Sequence, residues 1–229
     1  MNAGLYWIAQ TQADVPEGDY WLNEGERRFL EGLRFPKRRN DWRLGRWTAK
    51  QAICACLDKD ASFLPLLEIR AATDGSPEAF WNDGPGEVSI SISHSRDMGL
   101  CVVGPAGLAV GCDLEWIEPR EDELVEGYFT PEEISCVKRT PAVDRQLAIN
   151  LIWSAKETIL KILREGLRRD TRSVTVIIDS HAPGDPWSAW SGRCLDTSRV
   201  FHGWWRSGEG FVYTLASDRK TSLPDRLLI

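Results

Sequence analysis

Two short acidic stretches hold the side chains best suited to chemistry. Asp113 and Glu115 lie two residues apart after an apolar run, so on an extended strand both carboxylates point to the same side of the sheet. Glu157 follows Asp113 by 44 residues, and Lys161 lies four residues further on, so a helix places Glu157 and Lys161 on one face. Three carboxylates and one ammonium that converge predict a site for a hard cation and an anionic substrate.

The two stretches support each other as a metal site. A lone Asp-x-Glu pair at a strand end is usually solvated, but carboxylates brought together repel one another unless a cation lies between them. Mg²⁺ takes oxygen ligands and commonly keeps waters while it binds one or two carboxylates and substrate phosphate oxygens. We therefore expect Asp113, Glu115 and Glu157 to hold Mg²⁺.

A basic segment lies within this acidic chain. The net charge of the 229 residues is −6, yet segment 27–50 contains nine Lys and Arg residues against two acidic ones. Four of these cations recur at helical spacing and form one stripe, namely Arg39, Arg43, Arg46 and Lys50. Such a stripe can bind nucleic acid, bind a phosphorylated small molecule or form a solvated helix face, and charge alone does not choose among them.

Ser93 and His94 end a strand in which apolar residues alternate with serines. A lone histidine is more often structural than functional. However, Met98–Val103 and Leu108–Leu114 read as a hairpin that leads from this strand to the strand of Asp113. His94 would then lie near the same cleft, where its ring can donate a hydrogen bond to a phosphate.

The elements that position these residues follow a repeated order of strand, helices and strands. Helices are predicted at about 23–33, 37–57 and 144–164, and Thr130 starts another as its N-cap. The order recurs about residue 105. This predicts an α/β (α+β) fold of two pseudo-symmetric lobes, 1–105 and 106–229, each a small, mainly antiparallel sheet packed with a long helix, with the active site between the lobes.

The sequence lacks the motifs of several other classes of protein. The chain contains no Gly-rich phosphate loop, no dinucleotide fingerprint and no Gly-x-Ser-x-Gly nucleophile elbow. Its six cysteines lack zinc-site spacing, its start lacks a signal peptide, and no apolar run approaches the ~20 residues that span a bilayer. We expect a cytoplasmic protein with reduced cysteines and no membrane association.

The acidic stretches resemble the signature of a known family. Val110-Gly111-Cys112-Asp113-Leu114-Glu115 and the stretch from Trp153 to Lys161 are similar, in order and spacing, to the two motifs of the 4'-phosphopantetheinyl transferases of the Sfp type. Three weaker elements agree, namely Gly45 to Lys50, Ser91 to Ser95 and Gly166-Leu167. The resemblance covers about residues 39 to 167.

The resemblance implies a reaction and a set of roles. The phosphopantetheine arm of coenzyme A is transferred to a serine of an apo acyl, peptidyl or aryl carrier protein, and adenosine 3',5'-bisphosphate is released. Mg²⁺ bound by the three carboxylates bridges the pyrophosphate, and Lys161 stabilises charge on the phosphate. Glu157 is also the candidate general base, although a carboxylate bound tightly to metal is a poorer base, so the identity of the base stays open.

The resemblance also implies contacts with coenzyme A. They are predicted for Arg46 and His94, which match motif positions, and for Ser93 and Lys156, which adjoin motif positions. Arg39 is added as a predicted contact from the helical stripe and not from the resemblance. Ser76 stands where many members have a phosphate-binding lysine, so the residues that hold the 3'-phosphate stay open, and Arg39 or Arg43 are the candidates to replace it.

A monomer without nucleic-acid partners is expected, serving fatty acid or natural product biosynthesis. Two alternatives remain. A metal-dependent 3'-5' exonuclease also uses Asp-x-Glu on a strand but needs further aspartates, and a module that only binds coenzyme A or a carrier protein would not need all four site residues intact.

Overall fold

The structure, a computed structural model, describes residues 4–82, 84–178 and 186–228. The chain divides into two units. One contains the described residues up to Val110 together with those from Pro224 onward, and the other runs from Gly111 to Leu223. The division into 1–105 and 106–229 stays a prediction; it assigned the residues from Pro224 onward to the second lobe, whereas here they belong to the first unit. No helix in the described part of the chain is both long enough and apolar enough to cross a membrane.

The first unit is built on one long helix. Its helices are α1 (Glu24–Gly32) and α2 (Pro36–Cys56). Its strands are β1 (Tyr6–Thr11), β2 (Leu67–Ala71), β3 (Pro77–Trp81), β4 (Gly84–Pro85), β5 (Val88–Ser95) and β6 (Met98–Pro105). β6 pairs antiparallel with both β1 and β5, and β2, β3 and β4 form a second antiparallel sheet.

Local sequence signals explain where the two helices begin. Asn23 caps α1, because its side chain accepts a hydrogen bond from the Glu26 backbone N–H while the Glu26 carboxylate accepts one from the Asn23 backbone N–H. Pro36 is the first residue of α2, a position where a missing N–H costs no helical hydrogen bond. Sequence had predicted both helix starts to within a residue.

Helix α2 packs on the sheet of β1, β6 and β5 through its apolar side. Ala49, Ala52 and Ile53 of α2 are fully buried there against Cys101 and Val103 of β6. Burial of apolar area at roughly 25 cal/mol per Å² is the main force that holds this layer together.

In its described residues, the second unit contains three α-helices and a five-stranded sheet. Its elements are β7 (Val110–Trp116), α3 (Asp122–Tyr128), α4 (Pro131–Arg139), α5 (Arg145–Ile162), β8 (Val174–Ile178), β9 (Ser188–Cys194), β10 (Val200–Gly208) and β11 (Phe211–Ser217). The sheet order is β7-β11-β10-β9-β8. A last short strand, β12 (Asp225–Arg226), belongs to the first unit, where it pairs parallel with β1.

Helix α5 lies on this sheet and is fixed to β11 by hydroxyl groups. The Thr214 Oγ1 on β11 lies 2.8 Å from the Ser154 Oγ and 2.7 Å from the Thr158 Oγ1, and all three residues are fully buried. Each buried hydroxyl is therefore satisfied, which avoids a cost of about 1–3 kcal/mol per unpaired group. Ser154 is thus a packing residue, in keeping with the absence of a hydrolase motif.

The predicted α/β class is confirmed, but one predicted pairing is wrong. β6 and β7 do not form a hairpin: β6 pairs with β1 and β5, whereas β7 pairs with β11. The hairpin that does form joins β5 to β6, with Ser95 opposite Met98 and Arg96 in the left-handed region at φ 54°. Strand pairing is decided by distant partners, which a Gly-Pro-Ala-Gly turn signal between two apolar runs does not reveal. Sequence reasoning also missed α3 and β9.

Each unit contains a fully buried lysine paired with a buried glutamate, Lys50 with Glu26 in the first unit and Lys156 with Glu133 in the second, and we call this arrangement the polar frame. In the first unit the fully buried Lys50 ammonium lies 2.5 Å from the Glu26 carboxylate and donates to the backbone oxygens of Trp21 and Leu64 at 3.0 and 2.9 Å. The other Glu26 oxygen accepts from the backbone N–H of Ile69. Lys50 is therefore not part of a solvent-facing basic stripe, which corrects the prediction from helical spacing.

Candidate functional site

The site is formed by strand β7 and helix α5. Asp113 and Glu115 project from β7 and Glu157 from α5, and each offers a carboxylate oxygen such that these oxygens all lie within 4.8 Å of one another. Among the described residues this is the group of carboxylates whose geometry suits a metal ion. Asp113 is only 2% exposed, and the two glutamates are half-buried. The structure thus brings together the three predicted metal ligands.

Electrostatics show that the group is poorly compensated without a cation. Burial, the charge of Asp113 and that of Glu115 raise the pKa of the Glu157 carboxyl to about 7, against a partial opposing effect of Lys161. Burial and the charge of Asp113 likewise raise the pKa of Glu115 to about 7, although Arg120 and Lys161 oppose the shift. Crowded carboxylates out of water therefore favour either a proton or a positive ion.

Lys161 supplies one positive charge at the site. Its ammonium donates to the Asp113 Oδ1 at 2.8 Å and to the Cys112 backbone oxygen at 3.0 Å. Burial lowers the pKa of Lys161, but the charges of Asp113 and Glu157 and the hydrogen bond to Asp113 oppose that effect, and the pKa is raised. Lys161 is thus a cation at neutral pH and lies at the carboxylate group, as the helical spacing from Glu157 predicted.

Both oxygens of Glu115 are held by donors that sequence reasoning did not include. The Trp153 indole N–H donates to the Glu115 Oε1 at 3.0 Å, and the Arg120 Nη2 donates to the Oε2 at 2.7 Å. Arg120 is itself bonded to Asn150, which is fully buried in α5. A polar residue such as Asn150 on the buried side of an apolar helix was the available signal.

The donor set fits a hard divalent cation. Three carboxylate oxygens within reach of one another are ligands of the kind that Mg²⁺ and Mn²⁺ prefer, and no thiol or imidazole is needed to complete the set. The raised pKa values of Glu115 and Glu157 agree with this, because a bound cation would stabilise their charged forms. Asp113, Glu115 and Glu157 are thus the residues that could hold the ion.

Lys156 was predicted to contact coenzyme A, but its side chain lies in the protein interior. Its fully buried ammonium lies 2.8 Å from the Glu133 carboxylate and donates to the backbone oxygens of Thr171 and Val174. The other Glu133 oxygen accepts from the backbone N–H of Val176, as Glu26 does from Ile69, and both bonds join residues 43 apart. Lys156 therefore belongs to the polar frame that both units share.

This position of Lys156 follows from helix geometry. One residue along an α-helix turns the side chain by about 100°, so Lys156 and Glu157 leave α5 in different directions. Glu157 faces β7, whereas Lys156 faces Glu133 on α4. Burial lowers the pKa of Lys156, and the charge of Glu133 opposes that shift. We correct the sequence-based expectation accordingly and assign Lys156 to the interior.

The remaining predicted contacts lie in the first unit. Arg39 donates to the backbone oxygens of Leu30 and Leu33 at the end of α1. Arg43 pairs with Asp19, so its charge is compensated within the unit. These two residues were the candidates to replace the lysine missing at Ser76, and both have structural partners.

Arg46 differs from its neighbours on α2. Its guanidinium lies over the Trp42 ring at 4.9 Å, and its buried Nε has no hydrogen-bond partner among the residues that the structure describes. Burial lowers the pKa of Arg46, although the charge of Glu26 opposes the shift. His94 is exposed near the end of β5, and Ser93 beside it is buried. Arg46 and His94 are the predicted contacts best placed to receive a ligand.

Two comparisons with known proteins bear on this site. Residues 109–204, which include the three carboxylates and Lys161, match the model of the 4'-phosphopantetheinyl transferase superfamily. The resemblance predicted from the two motifs is therefore confirmed.

A particular relative agrees with the superfamily match. Over 112 residues the chain is 28% identical to a protein named 4'-phosphopantetheinyl transferase psf-1 from Bacillus pumilus. The aligned part covers 49% of this chain and 47% of that protein, so the similarity spans about half of each.

Proposed function

We propose that this protein transfers the 4'-phosphopantetheine group from coenzyme A to a serine of an apo carrier protein, with Mg²⁺ as cofactor. The observation that carries the proposal is the convergence of Asp113, Glu115 and Glu157 inside the segment that matches the superfamily. In the reaction the serine oxygen bonds to the phosphorus that bears pantetheine. The bond from that phosphorus to the other phosphate breaks, giving holo carrier protein and adenosine 3',5'-bisphosphate.

Asp113, Glu115 and Glu157 are proposed to hold the metal ion, which when bound would neutralise charge on the pyrophosphate. Lys161 keeps the Asp113 carboxylate in place through the 2.8 Å ion pair and adds a positive charge beside the reacting phosphates. These residues lower the barrier mainly by position and charge, because phosphoryl transfer asks for little covalent chemistry from the protein.

Glu157 is also the candidate to take the serine proton. A carboxyl whose pKa is raised to about 7 can accept a proton near neutral pH, which is the property a general base needs. A metal-bound carboxylate gives up part of that basicity, so a water held by Glu157 is the other candidate. The pH profile of a Glu157→Asp variant, whose carboxylate is retracted by one methylene, separates Glu157 from the bound water as the general base.

Coenzyme A contacts are proposed for Arg46 and His94, with Arg39 and Ser93 as lesser candidates. The unpartnered Nε of Arg46 is a donor that a phosphate oxygen would satisfy. His94 is exposed and can donate to a phosphate. Lys156 is withdrawn from this set because its ammonium is buried with Glu133. We extend the proposal to a monomeric cytoplasmic enzyme, which size-exclusion chromatography and cell fractionation test.

A carrier panel tests the function directly. The protein is incubated with coenzyme A, Mg²⁺ and apo acyl, peptidyl or aryl carrier proteins, and carrier masses are measured. Gain of one phosphopantetheine group by any carrier, lost with Glu157→Gln and kept with the exposed control Glu132→Gln, supports the proposal. Unchanged masses across the panel overturn it, and coenzyme A binding without transfer would instead indicate the binding module. Degradation of single-stranded DNA would indicate the nuclease.

A further inference from the structure

A stripe of polar side chains runs along one face of helix α5. Its members are Gln146, Asn150, Trp153, Glu157 and Lys161. They follow one another at steps of four, three, four and four residues, so they occupy one face of the helix. This stripe includes two residues of the proposed site and three that the proposed function leaves without a role.

The stripe meets β7 and the loop after it in reverse order. Lys161, at the end of α5, bonds to Cys112 and Asp113 at the beginning of that segment. Trp153, two turns earlier, bonds to the Glu115 Oε1. Each step back along α5 therefore reaches a residue further along the segment, so the strand and its loop run antiparallel to the helix.

Asn150 and Gln146 continue this order beyond the strand. The Asn150 amide donates to the backbone oxygen of Glu118 at 2.9 Å, and its Oδ1 accepts from the Arg120 Nε at 2.9 Å. The Gln146 Oε1 accepts from the Arg120 backbone N–H at 3.0 Å. Arg120 is thus fixed to α5 at both its backbone and its side chain.

The guanidinium of Arg120 joins this anchor to the site. While its Nε bonds to Asn150, its Nη2 donates to the Glu115 Oε2 at 2.7 Å, and both side chains are about four-fifths buried, at 20% and 18% exposed. The guanidinium is planar and rigid, so the position of the Nε fixes the direction of the Nη2. A lysine ammonium cannot reproduce two such bonds in one plane.

We propose that Arg120 is a positioning residue for the metal site, which holds the Glu115 carboxylate in the direction of Asp113 and Glu157. The proposal rests on the proposed function for the identity of the site. Arg120 and Trp153 each occupy one oxygen of Glu115, and each carboxylate oxygen retains a further lone pair for a cation. The helix that carries Glu157 thereby also orients the carboxylate opposite to it.

Mn²⁺ binding, measured by calorimetry with and without coenzyme A, tests this role. Arg120→Met and Arg120→Lys are expected to weaken Mn²⁺ binding by about 10-fold or more, the usual cost of losing a residue that orients a metal ligand. Arg145→Met is the matched control, because Arg145 pairs with Asp122 on the protein surface and does not contact Glu115. In the transfer assay the Arg120 variants should raise the KM for Mg²⁺ more than they lower kcat at saturating Mg²⁺.

A second background separates positioning from general loss of stability. In Glu115→Gln the carboxylate is already lost, so adding Arg120→Met should weaken Mn²⁺ binding by less than twofold more. An additive loss in the double variant contradicts action through Glu115. Unchanged Mn²⁺ binding by Arg120→Met alone would show that Arg120 does not position Glu115, and tighter binding would show that Arg120 competes with the cation. Either result overturns the proposal.

The outcomes also distinguish this proposal from the function. Mn²⁺ binding without carrier modification would overturn the transferase while leaving the role of Arg120 standing. Absence of Mn²⁺ binding by the unaltered protein, with coenzyme A present, overturns the metal site and the positioning role together.

Discussion

Gly111 on β7 lies against the backbone of Thr158 on α5. A Cβ atom built on Gly111 would overlap the Thr158 carbonyl oxygen and lie 2.8 Å from the Ile162 Cγ1. Neither a backbone oxygen nor a packed isoleucine can move aside cheaply. The strand that bears Asp113 and Glu115 therefore approaches the helix that bears Glu157 only because residue 111 has no side chain.

Gly111→Ala should separate β7 from α5 and disturb the metal site. We expect a loss of about 1–3 kcal/mol in the free energy of unfolding, typical of overpacking, and weaker Mn²⁺ binding. Urea unfolding and calorimetry measure the two effects. Gly127→Ala is the control in the same unit, since nothing lies within 4 Å of a Cβ there, and its stability should change by less than ~1 kcal/mol. Equal behaviour of the two variants would contradict the close-approach argument.

The stability of the metal-free protein should fall as pH rises. Because the pKa of Glu157 is raised from 4.5 to about 7, the native state binds more protons than the unfolded chain between these values. Stability from this group is therefore fully present below about pH 4.5 and is lost as pH rises through about 7. Glu115 contributes in the same direction. Urea unfolding in chelator, at about pH 5 and pH 8, measures the effect.

Glu157→Gln isolates the contribution of that carboxyl. The variant should be more stable than the unaltered protein at about pH 8 without metal, since it buries no charge there, and its pH dependence should be flatter. Mn²⁺ should stabilise the unaltered protein at pH 8 and stabilise the variant much less. A variant whose pH dependence matches that of the unaltered protein would show that Glu157 is not the titrating group.

Replacement of Lys156 on α5 should mainly lower stability, whereas replacement of Lys161 on the same helix should mainly lower the rate of transfer. Lys156→Met leaves the Glu133 carboxylate buried without its ion pair, so we expect a loss of about 3–5 kcal/mol in unfolding free energy. Lys161→Met should cost less stability, because the Lys161 side chain is partly exposed, and should lower the kcat of transfer. Adding Glu133→Gln to Lys156→Met should recover stability. If folded Lys156→Met instead shows a raised KM for coenzyme A at normal stability, the interior assignment of Lys156 is wrong.

The frame of the first unit predicts the same for Lys50. Lys50→Met should cost about 3–5 kcal/mol, because Glu26 would keep a buried charge and two backbone oxygens would lose their donor. Lys37→Met is the control, since its ion pair with Asp41 leaves the ammonium largely exposed and should change stability by less than ~1 kcal/mol. Circular dichroism melting compares them.

Local patterns were enough for much of the fold. The capping boxes at Asn23 and Thr130 set helix starts through bonds between residues three apart, so the sequence contains all the information they need. Helix α5 was predicted within two residues at each end for the same reason, since its apolar period is local. Strand pairing was not predicted from local patterns. The partner of β7 proved to be β11, about one hundred residues further along the chain.

For the candidate site too, local sequence patterns determined some features and tertiary structure decided the others. Sequence by itself determined that Asp113 and Glu115 share a strand face and that Glu157 and Lys161 share a helix face, because the periods of strand and helix depend only on local backbone geometry. Tertiary structure alone decided that these faces meet, at the close approach of Gly111 to Thr158. It also decided that Lys156 turns to Glu133 and that Arg120 reaches Glu115, because partners in a packed interior are chosen by which surfaces exclude water together.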